Sequence, residues 1–382
     1  MAREAVIVDC ARSPFGKRKG EFAEWHPTDL LGTVLRGLVE RNDIDPERID
    51  DVVGGCVTQA GEQGCNVTRN AWVAAGLPWS VPATSVDRQC GSSQQAAHFV
   101  AQGVIAGAYD IAIACGVESM TRAPMSSNAR GGVGPFSGQF LANTNNTLGI
   151  QFWVAQVLAD KWGITREEMD AYALQSHQRA AENTDNGFFP GEIIPVGGVS
   201  ADEGIRRDAS LEKIAALPPA WVSDEQPAPD ITAGNASQMT DGAAAMIIAS
   251  ADFAEQHGLP VRARFKHFAV AAEDPVLVLS APVPVTHKLM ERTGMTIDDW
   301  DAVECNEAFA AIALMWQKEF GYPMERFNPR GGAIALGHPL GASGVALMTR
   351  LLRHLEATGG RFGFQTMCEG GGQANATVIE RL

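Results

Sequence analysis

Residues 38–53 read LVERNDIDPERIDDVV, and residues 289–304 read LMERTGMTIDDWDAVE. The leucine, Glu-Arg, aspartate and valine positions of the two windows coincide at an offset of 251 residues. Each window is typical of a helix end, a turn and the entry to a strand. A second pair, the strand-like runs that lead into Cys115 and Cys368, matches at an offset of 253. We therefore predict two duplicated units packed with pseudo-symmetry, with chance similarity over short windows as the alternative.

Short apolar runs alternate with amphipathic helical stretches through both windows and beyond them. This alternation is typical of an α/β protein whose sheets carry helices on their faces. The strand-like runs include Val52-Val53-Gly54, Ile111-Ala112-Ile113-Ala114 and Ala245-Met246-Ile247-Ile248.

Residues 118–242 have no counterpart in the second half of the chain. They contain a proline-rich stretch at 218–229 and a helical stretch at 166–183, which Thr165 and Glu168 introduce as a capping box. Two interpretations are open for such an insertion: a lid or ligand-binding excursion, or an appendage that only packs.

Composition limits the function classes. The 382 residues are 45% hydrophobic, which is enough for a large core. A net charge of −15 argues against nucleic acid or an anionic membrane as the main partner. No apolar run approaches the roughly 18 residues of a membrane helix. The seven scattered cysteines lack C-x-x-C or zinc spacing, and the chain starts with a strand-like run, so we expect free thiols, no metal and a cytoplasmic location.

Two segments could carry nucleophilic chemistry. Cys90 follows a β-prone run and precedes a helix-forming stretch, and a helix N-terminus lowers a thiol pKa. An inert buried cysteine is the alternative. His338 lies in a glycine-rich turn 248 residues later, close to the duplication offset, so the two side chains are expected to face each other. A phosphate-binding loop is a weaker reading of that turn, because it lacks the P-loop pattern.

Two further segments are site candidates. Cys368 ends a strand and three glycines follow it, which places bare backbone N–H groups beside sulfur as in an oxyanion hole. A glycine turn between two strands is the alternative. Asn306 and Glu307 follow a strand as well, and helix capping by Asn306 is the alternative to a site role.

Together these segments resemble the thiolase family, the acetyl-CoA C-acyltransferases, over essentially the whole chain. The motifs that carry the resemblance are Ala11-Arg12-Ser13-Pro14-Phe15-Gly16, Arg88-Gln89-Cys90-Gly91-Ser92-Ser93, Cys115-Gly116-Val117-Glu118-Ser119-Met120, Thr232-Ala233-Gly234-Asn235-Ala236-Ser237, Asp241-Gly242-Ala243-Ala244, Asn306-Glu307-Ala308-Phe309, Gly337-His338-Pro339 and Met367-Cys368-Glu369-Gly370-Gly371-Gly372.

The resemblance implies duplicated α/β halves in a layered αβαβα arrangement with an inserted loop or lid domain. We place the N-terminal half at residues 1–117 plus 243–260, the loop domain at 118–242 and the C-terminal half at 261–382. Family members assemble as homodimers or homotetramers, and we expect one of these states here.

The resemblance also implies catalytic roles. Cys90 matches the nucleophile that becomes acylated, and His338 matches the residue that activates it and donates to the thioester oxygen. Asn306 matches the holder of a water in the same oxyanion hole, and Cys368 matches the general acid/base, for which a near-neutral thiol pKa would suit. The backbone N–H groups of Cys90 and Gly370 match a second oxyanion hole.

The implied reaction is that of a degradative 3-ketoacyl-CoA thiolase. Such an enzyme cleaves a 3-ketoacyl-CoA with CoA into acetyl-CoA, or a related acyl-CoA, and a shortened acyl-CoA. Its ligands are acyl-CoA and CoA, with CoA as a substrate and no tightly bound cofactor. Ser237 matches a contact to the pantetheine arm, and Arg206 matches a position near the adenine end.

Three departures from the family pattern bear on the substrate. Glu369 follows Cys368 where the family more often has an apolar residue, and a nearby carboxylate raises a thiol pKa. Residues 148–152 replace a His-Met-Gly stretch of short-chain members, and Lys213 replaces a CoA-contacting serine. The sequence around Cys90 and Cys368 resembles that of actinobacterial thiolases that degrade bulky acyl chains such as steroid fragments.

Three other functions are open. The first is a biosynthetic, acetoacetyl-CoA-forming thiolase. The second is a condensing enzyme for acyl-carrier-protein thioesters, against which Cys368 argues. The third is a non-catalytic thiolase-like scaffold or lipid-binding subunit, which the presence of Cys90, His338 and Cys368 disfavours.

Overall fold

The computed structural model describes residues 3–226 and 228–382. Residues 1 and 2 of the predicted N-terminal half, and residue 227 of the proline-rich stretch, lie outside this part of the chain. The described strands are β1 (Ala5–Arg12), β2 (Gly16–Lys17), β3 (Val52–Gly55), β4 (Ala83–Val86), β5 (Ile111–Ser119), β6 (Thr240–Ser250), β7 (Ala263–Ala272), β8 (Ala302–Cys305), β9 (Phe362–Glu369) and β10 (Gln373–Arg381).

Helices connect the strands, most of them on the faces of the sheet. The described α-helices are α1 (Pro27–Arg41), α2 (Val67–Ala74), α3 (Ser92–Ala106), α4 (Gly138–Asn143), α5 (Gln151–Lys161), α6 (Arg166–Asp185), α7 (Leu211–Ala215), α8 (Ala251–Gln256), α9 (Pro282–Thr293), α10 (Ala310–Phe320), α11 (Ala333–Leu336) and α12 (Ser343–Thr358). Among these residues, no helix has both the length and the apolar composition needed to cross a bilayer.

The strand order shows the predicted duplication. Hydrogen-bonded neighbours follow the order β4-β3-β5-β6-β1-β7-β10-β9-β8. The same pairing pattern is read from each end of the sheet inward. β3 is parallel to β5, and β8 is parallel to β9. The next pair is antiparallel in both halves, β5 with β6 and β9 with β10. A parallel bridge between Val303 and Phe327 stands where β4 stands in the first half. The halves join where β1 and β7 pair over two residue positions.

The two sequence windows occupy equivalent places. Residues 38–53 contain the end of α1, a 3₁₀ turn at Pro46–Arg48 and the start of β3. Residues 289–304 contain the end of α9, a 3₁₀ turn at Ile297–Asp299 and most of β8. The predicted succession of helix end, turn and strand is therefore confirmed in both windows.

Helices α3 and α12 form the middle of the molecule. They contact each other, and α12 also contacts strands of both halves of the sheet. Helices α1 and α2 pack on strands of the first half, and α9 packs on strands of the second. Strands β1, β5 and β6 are buried along their whole length, as expected for strands covered on both faces. These contacts give the expected αβαβα layering.

The insertion between β5 and β6 contains α4 to α7 and packs on the second half. Thr165 and Glu168 form the predicted capping box, and the helix they begin runs to Asp185, two residues beyond the predicted end. Met169 and Trp316 belong to one buried cluster, so the insertion shares a core with the C-terminal half. Its position next to the site described below is compatible with a ligand-binding role as well.

Candidate active site

Cys90 lies in the turn between β4 and α3, as the sequence predicts. The turn is held by Ser92, whose Oγ accepts from Arg88 N at 2.9 Å and donates to Gln89 O at 2.6 Å. Gln89 has a positive φ of 47°, which bends the chain sharply just before the cysteine. The sulfur therefore stands at the edge of a rigid turn, beside the first turn of α3.

The pKa of the Cys90 thiol is raised to about 12, and the predicted lowering is wrong. Burial is the main cause, and Glu369 raises the pKa further when its carboxyl group is ionised. The backbone N–H groups of Cys90 and Gly370 act on the sulfur in the opposite direction. Burial outweighs the helix end, so Cys90 keeps its proton until a base inside the site takes it.

His338 is a neutral base held by two hydrogen bonds. Ser343 Oγ donates to Pro339 O at 2.9 Å, so it accepts from His338 Nδ1 at 2.6 Å. Nε2 then carries no hydrogen and accepts from Asn306 Nδ2 at 3.2 Å. Burial lowers the pKa of the imidazole to about 4. At neutral pH, Nε2 is therefore unprotonated, and it can accept a proton if it gives up the hydrogen bond from Asn306.

Asn306 follows β8 directly and is buried. Helix α10 begins only at Ala310, with Phe309 as its N-cap, so the helix-capping alternative for Asn306 is wrong. Its Nδ2 contacts His338, while its Oδ1 is buried without a hydrogen-bond partner among the described residues. The hydrogen bond of the Asn306 side chain therefore goes to the His338 imidazole.

Cys368 lies in β9, next to the glycine turn that leads into β10. The turn alternative is confirmed, since Gly371 and Gly372 have φ values of 81° and 73° between the two strands. Burial raises the pKa of the Cys368 thiol well above its ordinary value, and nearby Cys90 contributes to the increase. The expectation of a near-neutral thiol is therefore wrong for this state, because the side chain is fully buried.

A cavity of about 700 Å³ opens onto Cys90 and His338. Its walls are mostly apolar, and most of the lining residues, Ile150 and Phe152 among them, come from the insertion. Phe152 packs edge-to-face on Phe309, with ring centroids 5.4 Å apart. The other large apolar lining residues are Met120, Met125, Met239, Leu279, Phe309 and Leu340.

The two residues expected to contact CoA line the same cavity. Ser237 is half-buried, and its backbone N–H donates to Ala308 O at 2.9 Å. Arg206 is exposed at the rim. Lys17 and Arg18 add positive charge to the lining, and sequence reasoning missed both. The available signal was the basic run Lys17-Arg18-Lys19, which begins five residues after the end of β1.

Buried carboxylates hold the loops that carry the site. Glu118 accepts from the backbone N–H groups of Val57 and Gly341 at 2.9 Å each, which connects the first half to the loop after His338. Glu307 accepts from Ser176 Oγ at 2.7 Å and from Ile334 N at 3.1 Å. The insertion is thereby tied to the segment that leads into His338.

The structure brings all seven predicted site residues into one region. Cys90, His338, Ser237 and Arg206 line the cavity, Asn306 contacts His338, and the backbone of Gly370 acts on Cys90. Cys368 lies deeper, near Cys90. In residues 3–226 and 228–382, no group of three or more His, Cys, Asp or Glu side chains is arranged to hold a metal ion.

Comparison with family models matches residues 5–252 to the thiolase N-terminal domain and residues 259–381 to the thiolase C-terminal domain. The chain belongs to the thiolase family. Thiolases are acyltransferases, and the observed layers, with one site drawn from both halves, agree with this assignment.

Relatives of known name match over nearly their full length. The chain is 46% identical to the steroid 3-ketoacyl-CoA thiolase FadA6 of Mycobacterium tuberculosis, covering 99% of this chain and 94% of that protein. It is 42% identical to the 3-ketoacyl-CoA thiolase of Aliivibrio fischeri, covering 99% and 100%. Among solved structures, the acetyl-CoA acetyltransferase of Bacillus anthracis matches with a TM-score of 0.89 at 31% identity, covering 100% and 99%.

Proposed function

We propose that this thiolase cleaves 3-ketoacyl-CoA with CoA, giving acetyl-CoA or a related acyl-CoA and an acyl-CoA shortened by the same unit. The observation that carries the proposal is the convergence of Cys90 and His338 on one cavity, with Cys368 beside Cys90. The names of the two similar 3-ketoacyl-CoA thiolases support it.

In the first half-reaction, His338 Nε2 takes the proton of Cys90, and the thiolate attacks the 3-keto carbon. The N–H groups of Cys90 and Gly370 are the donors we assign to the resulting oxyanion. The bond between C2 and C3 then breaks, and its electron pair forms the enolate of acetyl-CoA. Protonated His338, with Asn306, stabilises the enolate oxygen, and Cys368 donates its proton to C2.

In the second half-reaction, the Cys368 thiolate takes a proton from incoming CoA. The CoA thiolate attacks the acyl-Cys90 thioester, and Cys90 leaves as a thiolate that recovers its proton from His338. Every group returns to its starting protonation state. The buried, protonated state of Cys368 suits the acid step, because the proton remains on sulfur until the enolate forms.

CoA enters this scheme as a substrate, and no tightly bound cofactor is proposed. Lys17, Arg18 and Arg206 are the cations we assign to its phosphates, and Ser237 is assigned to the pantetheine arm. The expected homodimer or homotetramer and the cytoplasmic location remain proposals.

We further propose that the acyl group is bulky, with steroid-derived chains as candidates. The mostly apolar lining favours an apolar acyl chain over an acetoacetyl group, while part of the volume of about 700 Å³ is assigned to CoA. Ile150 and Phe152, from the insertion, form part of the wall that would contact the acyl chain.

The test is a CoA-dependent cleavage assay with acetoacetyl-CoA, long-chain and polycyclic 3-ketoacyl-CoA substrates, using Cys90→Ala as the control. We expect cleavage of the bulky substrates, loss of at least about 10⁴-fold in the variant, and an acyl adduct on Cys90 by mass spectrometry. Activity on acetoacetyl-CoA alone would favour the biosynthetic alternative. Full activity of Cys90→Ala, or no adduct with any acyl-CoA, would refute the proposal.

A further inference from the structure

Glu369 is a buried acid that the proposed mechanism does not use. It ends β9, directly after Cys368, and its side chain is fully buried. Its carboxyl group packs against the turn that carries Cys90. A Cβ atom at position 91 would lie 2.7 Å from Glu369 Cδ and would collide with Oε1. Gly91 therefore leaves the space that this carboxyl group occupies.

The hydrogen bonds of Glu369 fit a neutral carboxylic acid. With its amide oriented as its neighbours require, Asn375 donates to Glu369 Oε1 at 3.2 Å and accepts from Gln95 N at 3.1 Å. Oε2 is buried and has no hydrogen-bond partner among the described residues. A buried carboxylate needs a cation or several donors, whereas a protonated Oε2 with Oε1 as the carbonyl needs far less.

The charged and titratable groups around Glu369 are few. Arg88, from the turn before α3, acts on the carboxyl group but donates through Nη1 to Gln373 Oε1 at 2.8 Å. Of the two thiols, Cys90 belongs to that turn and Cys368 is the preceding residue of β9, and Glu369 acts electrostatically on both, while β10 contributes the uncharged Asn375. By contrast, the buried Glu304 is paired with Arg350 at 2.7 Å.

We propose that Glu369 is a positioning residue for the two thiols: it keeps a proton beside Cys90 and Cys368, and both sulfurs lose reactivity when that proton leaves at alkaline pH. The inference rests on the proposed acyl-transfer function. Burial raises the pKa of Glu369 well above its ordinary value, and an ionised Glu369 raises the pKa of both thiols. Glu118 acts on Cys90 in the same direction.

The experiment measures alkylation of Cys90 by iodoacetamide from pH 6 to pH 10, quantified on the Cys90 peptide by mass spectrometry. Glu369→Gln keeps the shape and is always neutral. We expect the Cys90 alkylation rate of Glu369→Gln to match the wild-type rate within about twofold at pH 6. At pH 9 we expect it to exceed the wild-type rate about tenfold, because a thiol pKa lower by about one unit gives about ten times more thiolate. Glu255→Gln, at an exposed carboxylate on α8, is the matched control and keeps the wild-type profile.

Wild-type alkylation rates for Glu369→Gln at every pH would overturn the inference. Alkylation rates that are lower by the same factor at every pH, together with a lower melting temperature, would show that Glu369 has only a packing role. That outcome would overturn the inference as well. If the glutamine variant does not fold, Glu369→Ile provides the same neutral test. Alkylation needs no CoA substrate, so failure of this inference is distinguishable from failure of the cleavage reaction.

Discussion

The thiols and the imidazole at the centre of the site are all uncharged at neutral pH, so no thiolate–imidazolium ion pair forms at rest. The pKa values of Cys90 and Cys368 lie above the ordinary range, and that of His338 lies below it. Burial is the main cause for each, because it disfavours the charged form of thiols and imidazole alike. The resting site is therefore neutral, and charge separates only when a bound substrate supplies an oxyanion to stabilise.

Asn306→Ala removes the donor to His338 Nε2 without changing the backbone. We expect kcat for 3-ketoacyl-CoA cleavage to fall about 10²–10³-fold, the usual cost of one oxyanion-hole group. The measurement is steady-state kinetics, with KM and melting temperature followed in parallel. Asn70→Ala, at an exposed amide on α2, is the control. Wild-type kcat in Asn306→Ala would exclude a role for this amide in catalysis.

At the scale of elements, α3 and α12 each begin shortly after a turn that carries a site residue. The turn with Cys90 follows strand β4, whereas the turn with His338 follows the short helix α11, so the predicted strand-to-helix turn is confirmed for Cys90 and wrong for His338. Helix α3 is also fixed from the side by His98, whose Nε2 lies 2.7 Å from Thr377 Oγ1 of β10 and whose ring lies 5.2 Å from that of Phe268. The imidazole is buried, and burial lowers its pKa to about 3. This helix is thus anchored by a group that must stay uncharged.

His98→Gln should make the fold less sensitive to acid. In the wild type, the unfolded chain binds a proton at this position below about pH 6.5, while the folded chain does not until about pH 3. Stability is therefore lost as pH falls through this window. We expect the decrease in unfolding free energy between pH 7 and pH 5 to be smaller by about 2 kcal/mol in the variant. Urea titrations at both pH values measure it, with His257→Gln as the control.

An unchanged decrease between pH 7 and pH 5 in His98→Gln would show that this imidazole is not buried and neutral in solution.

The order of elements around the site could be predicted from the sequence, because hydrophobic periodicity and turn residues are local signals. The duplication offset predicts that Cys90 and His338 lie near each other, but it does not reveal that a helix instead of a strand leads into the His338 turn. The thiol pKa values could not be predicted, since they depend on burial by segments far apart in the chain. Lys17 and Arg18 were missed for a similar reason: a short basic run does not reveal which cavity it borders.

For the whole molecule, one buried ion pair network joins the first half to the insertion. Arg12 of β1 is fully buried and donates to Glu192 and Asp202 at 2.6 Å each. Asp202 also accepts from Phe15 N at 2.8 Å. Arg206 follows four residues later, so the network helps to place the rim of the cavity.

Arg12→Met leaves two buried carboxylates without their cation. We expect a loss of about 3–5 kcal/mol in unfolding free energy, because an unpaired buried charge is costly. We also expect a higher KM for CoA, because the segment that carries Arg206 is no longer held in place. Arg207→Met breaks an exposed pair with Asp185 and should leave the unfolding free energy essentially unchanged, because solvent screens such a pair. Chemical denaturation and CoA titration of initial rates test both. Equal losses of unfolding free energy in Arg12→Met and Arg207→Met would contradict the structural role assigned to the buried Arg12 network.

The fusion of two copies in one polypeptide has a consequence for chemistry. Two identical subunits related by a two-fold axis must present the same side chain at both facing turns: sulfur opposite sulfur, or imidazole opposite imidazole. A single chain is free of that restriction. By holding both copies, it can assign the nucleophile to one and the base to the other, so that a thiol and an imidazole serve the same bound substrate.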